Sequence, residues 1–198
     1  MRPPPTSRII AALAVLAAVV PSVTASAGTA ETSSSGVAHA TVRNVSGAVL
    51  GTVIFYMVNR KTFVSGRLTR LSPGFHGFHV HTVGICDPKA TDPSGKVAPF
   101  HSAGGHLNLE GVGHPHHTGD LPSLYVSADG TATSITENDK LTAAALFDTD
   151  RSAIIVHALP DNFANIPKRY SATGPDAETL ATGDAGGRVA CGVIVRSR

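Results

Sequence analysis

Tryptophan is absent from this sequence of 198 residues, and cysteine and methionine occur only twice each. Charged residues make up 15% of the chain and leave a formal net charge of +2. Such a balance offers no basic surface for nucleic acid, and it lies far from the highly charged, weakly apolar composition of disordered proteins. Long helices are disfavoured as well, because 20 glycines and 13 prolines interrupt them. The length then favours one domain built from short strands and loops.

The sequence also lacks an apolar run long enough to cross a membrane. The longest apolar stretch, residues 9–20, has 12 residues, whereas a helix that crosses a bilayer needs about 20. Arg2 and Arg8 precede this stretch, and Ala25-Ser26-Ala27 follows it as a small-x-small cleavage pattern. This order of segments is typical of a signal peptide. A buried apolar helix is the alternative interpretation, but no polar residue supplies a second face.

The signal peptide sets the predicted domain boundaries and the cellular location. The predicted segments are a signal peptide over residues 1–27, a flexible lead over 28–36 and a folded domain over 37–198. We expect an exported protein in the periplasm, the cell envelope or the medium, without a stable membrane anchor. Loss of Arg2 and Arg8 from the 16 basic residues leaves 14, which equals the number of acidic residues. The mature chain is therefore close to neutral.

Export also bears on the two cysteines, Cys86 and Cys191. In an oxidising compartment the only two cysteines of a chain are expected to pair. A bridge between them closes a loop of about 100 residues and stabilises the fold by about 2–5 kcal/mol if its effect is entropic. Two free buried thiols are the alternative.

The segment after residue 36 is a series of short stretches rich in valine, threonine, isoleucine and phenylalanine, separated by turn residues. Asp129-Gly130 is a strong hairpin signal. A short helix is predicted within residues 139–147, and two long loops over 82–120 and 160–187. The predicted strands fit an antiparallel barrel or sandwich, and they cover residues 37–43, 47–58, 62–71, 75–81, 124–126, 131–136, 153–159 and 188–195.

The ten histidines are the most informative feature of the composition. His79 and His81 are two residues apart in a predicted strand, so their side chains project from one face, as two ligands of one metal ion must. His76 falls on the opposite face, where a structural role is the better interpretation. A pair of this spacing alone is only a moderate signal, because surface pairs also occur.

A second group of candidate metal ligands occupies a span of 15 residues inside the first predicted loop. Its members are His106, His114, His116, His117 and Asp120. Imidazole nitrogens with one carboxylate oxygen form a good tetrahedral zinc site, and imidazole alone suits copper(II). Five donors exceed the need of one ion. The alternative is a solvated histidine tract that binds metals loosely.

Two distant residues favour a built site over a loose tract. His157 ends the apolar stretch Ala153–Val156, where a buried imidazole needs a partner and a metal ion is one candidate. Arg188 begins the last predicted strand beside Cys191. A permanently charged guanidinium near a metal suits the capture of a small anion, although an ordinary arginine at a strand end is equally compatible with this position.

Together these residues resemble the copper/zinc superoxide dismutases of the secreted bacterial kind. The resemblance covers residues 38–195 and implies an all-β fold, an eight-stranded antiparallel Greek-key barrel with two long functional loops. It is carried by GFHGFHVH over residues 74–81, Gly105-His106, HTGDL over 117–121, His157 with Asp161, and GRVACGVI over 187–194.

The resemblance implies a copper site and a zinc site that share one ligand. His79, His81, His106 and His157 would hold copper. His106, His114, His117 and Asp120 would hold zinc, with His116 in solvent. Asp161 would link a copper histidine to a zinc histidine and thereby fix the orientation of both rings.

The resemblance also implies the remaining roles. Arg188 would guide superoxide to the copper, and His106 would carry a proton in a two-step cycle that yields oxygen and hydrogen peroxide. Cys86 and Cys191 would form the family's disulfide within the subunit. The oligomeric state stays open, and a homodimer is compatible with the sequence.

Three departures from the family pattern stand out. Residues 87–100 are an insertion between Cys86 and His106, and they predict a longer surface loop with His101 exposed at its end. The stretch from His106 to Asp120 is shorter than in many relatives, which compresses the zinc loop. The loop over residues 160–187 has only two cations, Lys168 and Arg169, against four acids, so weaker electrostatic steering is expected.

Three other functions fit parts of the sequence. A copper-only superoxide dismutase with an empty zinc site is the main alternative. A metal-storage module would need the histidine-rich loop but neither Arg188 nor His157. A zinc hydrolase would need an open metal position and a general base, for which Glu110 is the only glutamate in the cluster.

Overall fold

The computed structural model describes Met1 and residues 37–59 and 61–197. Apart from Met1, the predicted signal peptide and flexible lead, and the boundaries drawn there, fall outside the described residues. Among the described residues, no helix combines the length and hydropathy needed to cross a membrane.

Short strands dominate the described chain, in agreement with the glycine- and proline-rich composition. Its helical elements are a single 3-10 turn over His101–Ala103, α1 over Ala143–Leu146 and α2 over Ala177–Thr182. The strands are β1 Ala38–Asn44, β2 Val49–Val58, β3 Lys61–Leu68, β4 Gly74–His76, β5 Phe78–His81, β6 Leu124–Val126, β7 Ala132–Asn138, β8 Ala153–His157, β9 Arg188–Val193 and β10 Val195–Arg196.

All strand pairs are antiparallel. The main sheet has the order β5-β8-β9-β1-β2-β3-β7, with β10 paired to β1, and β4 and β6 form a second, two-stranded sheet. In the main sheet, neighbouring strands are often not consecutive in sequence, and this arrangement brings β1, β8 and β9 together from distant parts of the chain. The prediction of an all-β, antiparallel fold is confirmed.

The predicted strand over residues 75–81 is divided at Gly77. Its first part pairs with β6 and its second part with β8. A Cβ atom at Gly77 would lie 2.5 Å from the Ala185 Cβ and 3.3 Å from the His157 Cβ. This close approach of the second long loop explains why the chain changes sheets at a glycine.

The main core is built from strands in which buried side chains alternate with side chains that face outward. In β1, for example, Ala38, Ala40 and Val42 are fully buried, whereas the residues between them face outward. Phe55, Leu68 and Phe78 from neighbouring strands complete the centre of this cluster, and each such large apolar side chain contributes about 1.5–3 kcal/mol by leaving water.

A smaller cluster lies beneath the first long loop. It contains Phe100, Ala103, Ala153, Ile155 and Cys191. Cys191 forms a disulfide with Cys86, the pairing that the sequence predicts, and this bond ties the loop to β9. The second long loop thus starts and ends on strands of the main sheet, β8 and β9, whereas the first runs from β5 of the main sheet to β6 of the two-stranded sheet.

Candidate metal centre

Three histidines of the site lie on strands. His79 and His81 belong to β5, and His157 ends β8, which pairs with β5 in an antiparallel register. All three side chains are buried. The Nε2 atoms of His81 and His157 are 3.3 Å apart, so the adjacent strands bring together residues that are 76 positions apart.

His106 joins this group from the first long loop. Its backbone forms an isolated antiparallel bridge with His81, and its ring centroid lies 4.0 Å from that of His79. One ring nitrogen from each of His79, His81, His106 and His157 lies within 4.8 Å of the others. The structure therefore brings together the four residues predicted to bind copper.

The predicted zinc ligands meet on the other side of His106. His106 Nδ1 is 2.8 Å from Asp120 Oδ1, and His114 Nδ1 is 2.9 Å from Asp120 Oδ2. His117 Nδ1 lies 3.3 Å from His106 Nδ1 and 3.2 Å from Asp120 Oδ2. Thus one edge of each of the three rings faces the same carboxylate.

The other candidate histidines lie outside this donor arrangement. His116 is exposed. His76 ends β4 and is buried, with its ring nitrogens 2.6 Å from the His157 carbonyl oxygen and 2.8 Å from the Ser72 carbonyl oxygen. His101 is half-buried, so the expectation that it is exposed is wrong; it lies on the 3-10 turn that packs against the smaller core.

Asp161 connects the two groups of ligands. Its Oδ2 accepts a hydrogen bond from His79 Nε2 at 2.7 Å, and its Oδ1 accepts one from His114 Nε2 at 2.8 Å. The carboxylate is buried, and Oδ1 also accepts the backbone N–H of Phe163. These bonds leave the Nδ1 atoms of both rings free to face the metal sites.

Gly183 ends α2 directly beside the hydrogen bond between Asp161 and His114. It has a left-handed backbone with φ 61°, and its N–H donates to the Thr179 carbonyl. A Cβ atom there would lie 2.6 Å from His114 Nε2 and closer still to Asp161 Oδ1. Only glycine meets both the backbone and the steric requirement.

Burial controls the pKa values of the strand-borne histidines. Desolvation lowers the pKa of His79 to about 4, despite its hydrogen bond to Asp161, and that of His157 to about 3. The pKa of His81 is also well below its usual value because of burial and the neighbouring His106 and Arg188. These rings are neutral at pH 7, as metal coordination requires.

The carboxylates reverse this effect around the loop-borne ligands. Burial opposes a charge on His114, but contacts with Asp120 and Asp161 outweigh it and raise the pKa of His114 to about 9. Burial would raise the pKa of each carboxyl, yet the hydrogen-bonded histidines hold both pKa values well below their usual range. Both carboxylates are therefore ionised at pH 7.

Two buried nitrogens test whether metals fit these residues. Within the described part of the chain, His79 Nδ1 and His114 Nδ1 have no hydrogen-bond partner; the 2.9 Å approach of His114 to Asp120 lacks hydrogen-bond geometry. An unpaired buried polar atom is costly. A metal ion beside each atom would satisfy it. Four imidazoles suit copper, and three imidazoles with a carboxylate suit zinc.

Arg188 lies at the start of β9, beside the four-histidine group. Its Nη1 donates to the Phe100 carbonyl at 2.6 Å and its Nη2 to the Gly104 carbonyl at 2.5 Å. The side chain lines an opening of about 410 Å³, together with His81, His106, His157, Glu178, Asp184 and four other residues. This opening connects solvent with the histidines, and the two predicted cations Lys168 and Arg169 do not line it.

The family-level comparison agrees with this geometry. Residues 49–194 match the model of the family described as copper/zinc superoxide dismutase. The chain belongs to this family.

Known copper/zinc superoxide dismutases show how far the similarity extends. The protein of Mycolicibacterium paratuberculosis is 50% identical over 130 residues, which cover 63% of this chain and 57% of that relative. That of Escherichia coli K12 is 35% identical over 154 residues, which cover 75% and 80%. The solved structure from Brucella abortus has a TM-score of 0.62 and 30% identity, and covers 78% of this chain and 97% of its own. The chain thus spans just over half of its mycobacterial relative.

Within this superoxide dismutase fold, the sequence patterns do not reveal three residues that contribute to the site, Phe100, Gly104 and Gly183. The carbonyls of Phe100 and Gly104 hold Arg188, and a backbone carbonyl leaves no side-chain signature in a sequence. Gly183 could have been suspected, because the Thr182-Gly183 step resembles a helix end, but its contact with Asp161 depends on the tertiary fold.

Proposed function

We propose that this chain is an exported superoxide dismutase that converts two superoxide ions and two protons into oxygen and hydrogen peroxide. The observation that carries this proposal is the shared position of His106. Its ring belongs to the four-histidine group, and its Nδ1 contacts Asp120 in the adjacent group. A storage site needs no ligand common to two ions and no arginine beside them.

We assign the two metals to the two groups of donors. His79, His81, His106 and His157 would hold copper, whereas His106, His114, His117 and Asp120 would hold zinc. Copper, when bound, supplies the one-electron redox chemistry of the reaction. Zinc has no redox chemistry, so its role would be to fix the loop and the orientation of His106.

Arg188 and His106 would act on the substrate. The guanidinium of Arg188 attracts a small anion to the opening and holds it beside the histidines. His106 Nδ1 faces the zinc ligands, so its Nε2 is the ring atom on the side of the copper group. We assign to His106 Nε2 the proton that is delivered to the second superoxide.

The charge around the opening bears on how fast superoxide arrives. Glu178 and Asp184 line the opening with Arg188, and like charge repels an anion. Positive steering can speed association by about 10- to 1000-fold, and superoxide dismutase is itself a standard case of this effect. We infer that steering speeds the association of superoxide with this protein by a factor towards the lower end of that range.

The location and the assembly of the protein are further parts of the proposal. The sequence pattern of residues 1–27 supports export, and the Cys86–Cys191 disulfide is consistent with an oxidising compartment. A homodimer is compatible with the proposal, and sedimentation of the purified protein would determine the state of assembly.

The proposal is tested by loading the protein with copper and zinc and measuring the disappearance of superoxide. Rapid, catalytic loss of superoxide is expected, with none above background for the metal-free protein. A protein with full copper that fails to accelerate this loss would overturn the proposal.

A copper-only superoxide dismutase is the second candidate, and one observation favours it. The zinc-side donors His106, His114 and Asp120 lie within 4.8 Å of one another together with the copper-side His79, and His117 is outside this group although its Nδ1 lies 3.2 Å from Asp120 Oδ2. Elemental analysis of protein purified without chelators distinguishes the candidates. About one zinc per copper supports the two-metal enzyme, whereas full copper and activity without zinc supports the second candidate.

A further inference from the structure

The insertion over residues 87–100 forms a closed excursion of the chain. The Phe100 N–H donates to the Asp87 carbonyl at 2.8 Å, which joins its two ends. Inside it, Thr91 and Val97 form an antiparallel bridge, and the Ala98 N–H donates to the Ala90 carbonyl. The tip of the excursion is therefore held by its own contacts.

Phe100 has an unusual backbone for a bulky residue. Its φ of 62° and ψ of 14° place it in the left-handed region, which side chains with a Cβ disfavour. The residue is only 2% exposed, and its side chain packs with Ala103, Ala153, Ile155 and Cys191. Burial of the ring thus compensates for the unfavourable backbone and holds it in place.

The direction of the Phe100 carbonyl follows from this backbone. It accepts Arg188 Nη1, while the Gly104 carbonyl accepts Arg188 Nη2 and also His81 Nδ1 at 2.9 Å. Two carbonyls on one guanidinium fix both its position and the plane in which its remaining N–H groups point. Gly104 alone would leave the guanidinium free to rotate about a single contact.

We propose that Phe100 is a positioning residue for Arg188: its buried ring holds the left-handed backbone whose carbonyl orients the guanidinium beside the histidines. The inference rests on the proposed function, because it assigns Arg188 to an anionic substrate. It predicts that the insertion acts on anion binding through Phe100, its last residue, and not through its exposed tip.

The first test compares Phe100→Ala with Phe100→Leu in copper- and zinc-loaded protein, with azide as the anionic probe. Azide affinity is read from the visible spectrum of the copper. Because small misplacements of a positioning group are costly, we expect Phe100→Ala to weaken azide binding and to lower the second-order rate with superoxide by about tenfold each. Phe100→Leu, which keeps a buried apolar side chain, should stay within about twofold of the original protein. Metal content should be unchanged in both.

A double-mutant cycle separates positioning from a general structural effect. In an Arg188→Ala background, Phe100→Ala should change azide affinity by less than about twofold, because the group that it positions is absent. An equal loss of azide affinity with and without Arg188 would overturn the inference. So would a Phe100→Ala protein that is less stable but has unchanged azide affinity.

Two more variants keep the inference testable if Phe100→Ala does not fold. Phe100→Val retains an apolar side chain but disfavours the left-handed backbone further, so it should lose azide affinity as well. Replacement of residues 91–97 by Gly-Gly leaves Phe100 in place and should leave azide affinity unchanged. If the shortened tip weakens azide binding as much as Phe100→Val does, the inference is wrong.

The azide measurement also separates this inference from the proposed function. A loaded protein that binds azide with the expected dependence on Phe100 but does not consume superoxide would contradict the proposed function alone. Normal superoxide consumption with no dependence of azide affinity on Phe100 would contradict the inference alone.

Discussion

The two halves of the proposed metal centre, the copper half and the zinc half, are built differently. His79, His81 and His157 lie on paired strands of the main sheet, so backbone hydrogen bonds place them. The zinc-side ligands lie on a loop whose ends, His106 and Asp120, bridge to β5. The copper half is therefore an extension of the sheet, whereas the zinc half depends on how its loop is held.

Side chains from the last residue of β7 and from the segment just after it hold the zinc-side loop. Asn138 Nδ2 donates to the carbonyls of Thr118 and Asp120. Lys140 Nζ donates to the His116 carbonyl at 2.8 Å and pairs with Glu110. Such exposed pairs contribute about 0–1 kcal/mol each. The comparison teaches that two adjacent sites with one common ligand can differ greatly in how rigidly the fold holds their ligands in position.

Removal of a strand-borne ligand should have the largest effect. His157→Ala takes away one proposed copper ligand and leaves a void in the sheet-built half, so copper affinity and superoxide consumption should fall by at least about a hundredfold. Equilibrium dialysis against copper and a superoxide assay measure the two losses. Original activity in a variant that still binds copper would contradict the assignment of His157.

Removal of the loop-borne carboxylate should affect one half only. Asp120→Ala should lower zinc affinity by about 10- to 100-fold, because it removes a ligand, while copper stays bound through its four histidines. Elemental analysis after dialysis measures both metals. The matched control is His116→Ala on the same loop, which should keep both metals. Equal loss of copper and zinc from Asp120→Ala would show that the halves are not separable.

Reversal of the charge at the opening should leave the binding of both metals unchanged and lower only the rate with superoxide. Arg188→Glu replaces attraction of the anion by repulsion and should lower the rate with superoxide by about tenfold, an effect of the size expected for steering in this family. Copper and zinc contents should not change. Loss of copper from this variant would instead place Arg188 among the residues that maintain the site.

The pKa values predict a smaller difference that depends on pH. In the metal-free protein the raised pKa of His114, about 9, keeps this ring protonated at pH 6–8. Zinc must displace that proton, so apparent zinc affinity should rise by about tenfold per pH unit over this range. His79 and His157, with pKa values of about 4 and 3, are already neutral and give copper no such slope.

Calorimetry in buffers of different ionisation enthalpy measures this difference directly. Zinc binding should release about one proton more than copper binding at pH 7. Equal proton release for the two metals would contradict the pKa assigned to His114.

The same contrast explains how much of the site could be predicted from the sequence. The two-residue spacing of His79 and His81 predicts one face of a strand, because side chains alternate there by simple geometry. The strand-rich composition likewise predicts the all-β fold. The division at Gly77 and the partial burial of His101 were not predicted. The division depends on the close approach of Ala185 from the second long loop, and the 3-10 turn that carries His101 packs against strand residues such as Ala153 and Cys191, all distant in sequence. The carbonyl of Phe100 was also missed, since any residue could provide it.

Gly183 has a consequence for attempts to modify the protein. Helix α2 lines the opening beside the histidines, so it is an obvious target for randomised libraries aimed at a new anionic substrate. The first alanine introduced at Gly183 would push Asp161 away from His114 and disturb both metal sites at once. A library that varies Glu178, Ala181 and Thr182 but holds Gly183 constant explores the lining of this opening, whereas one that includes Gly183 is expected to enrich clones with a disturbed metal centre.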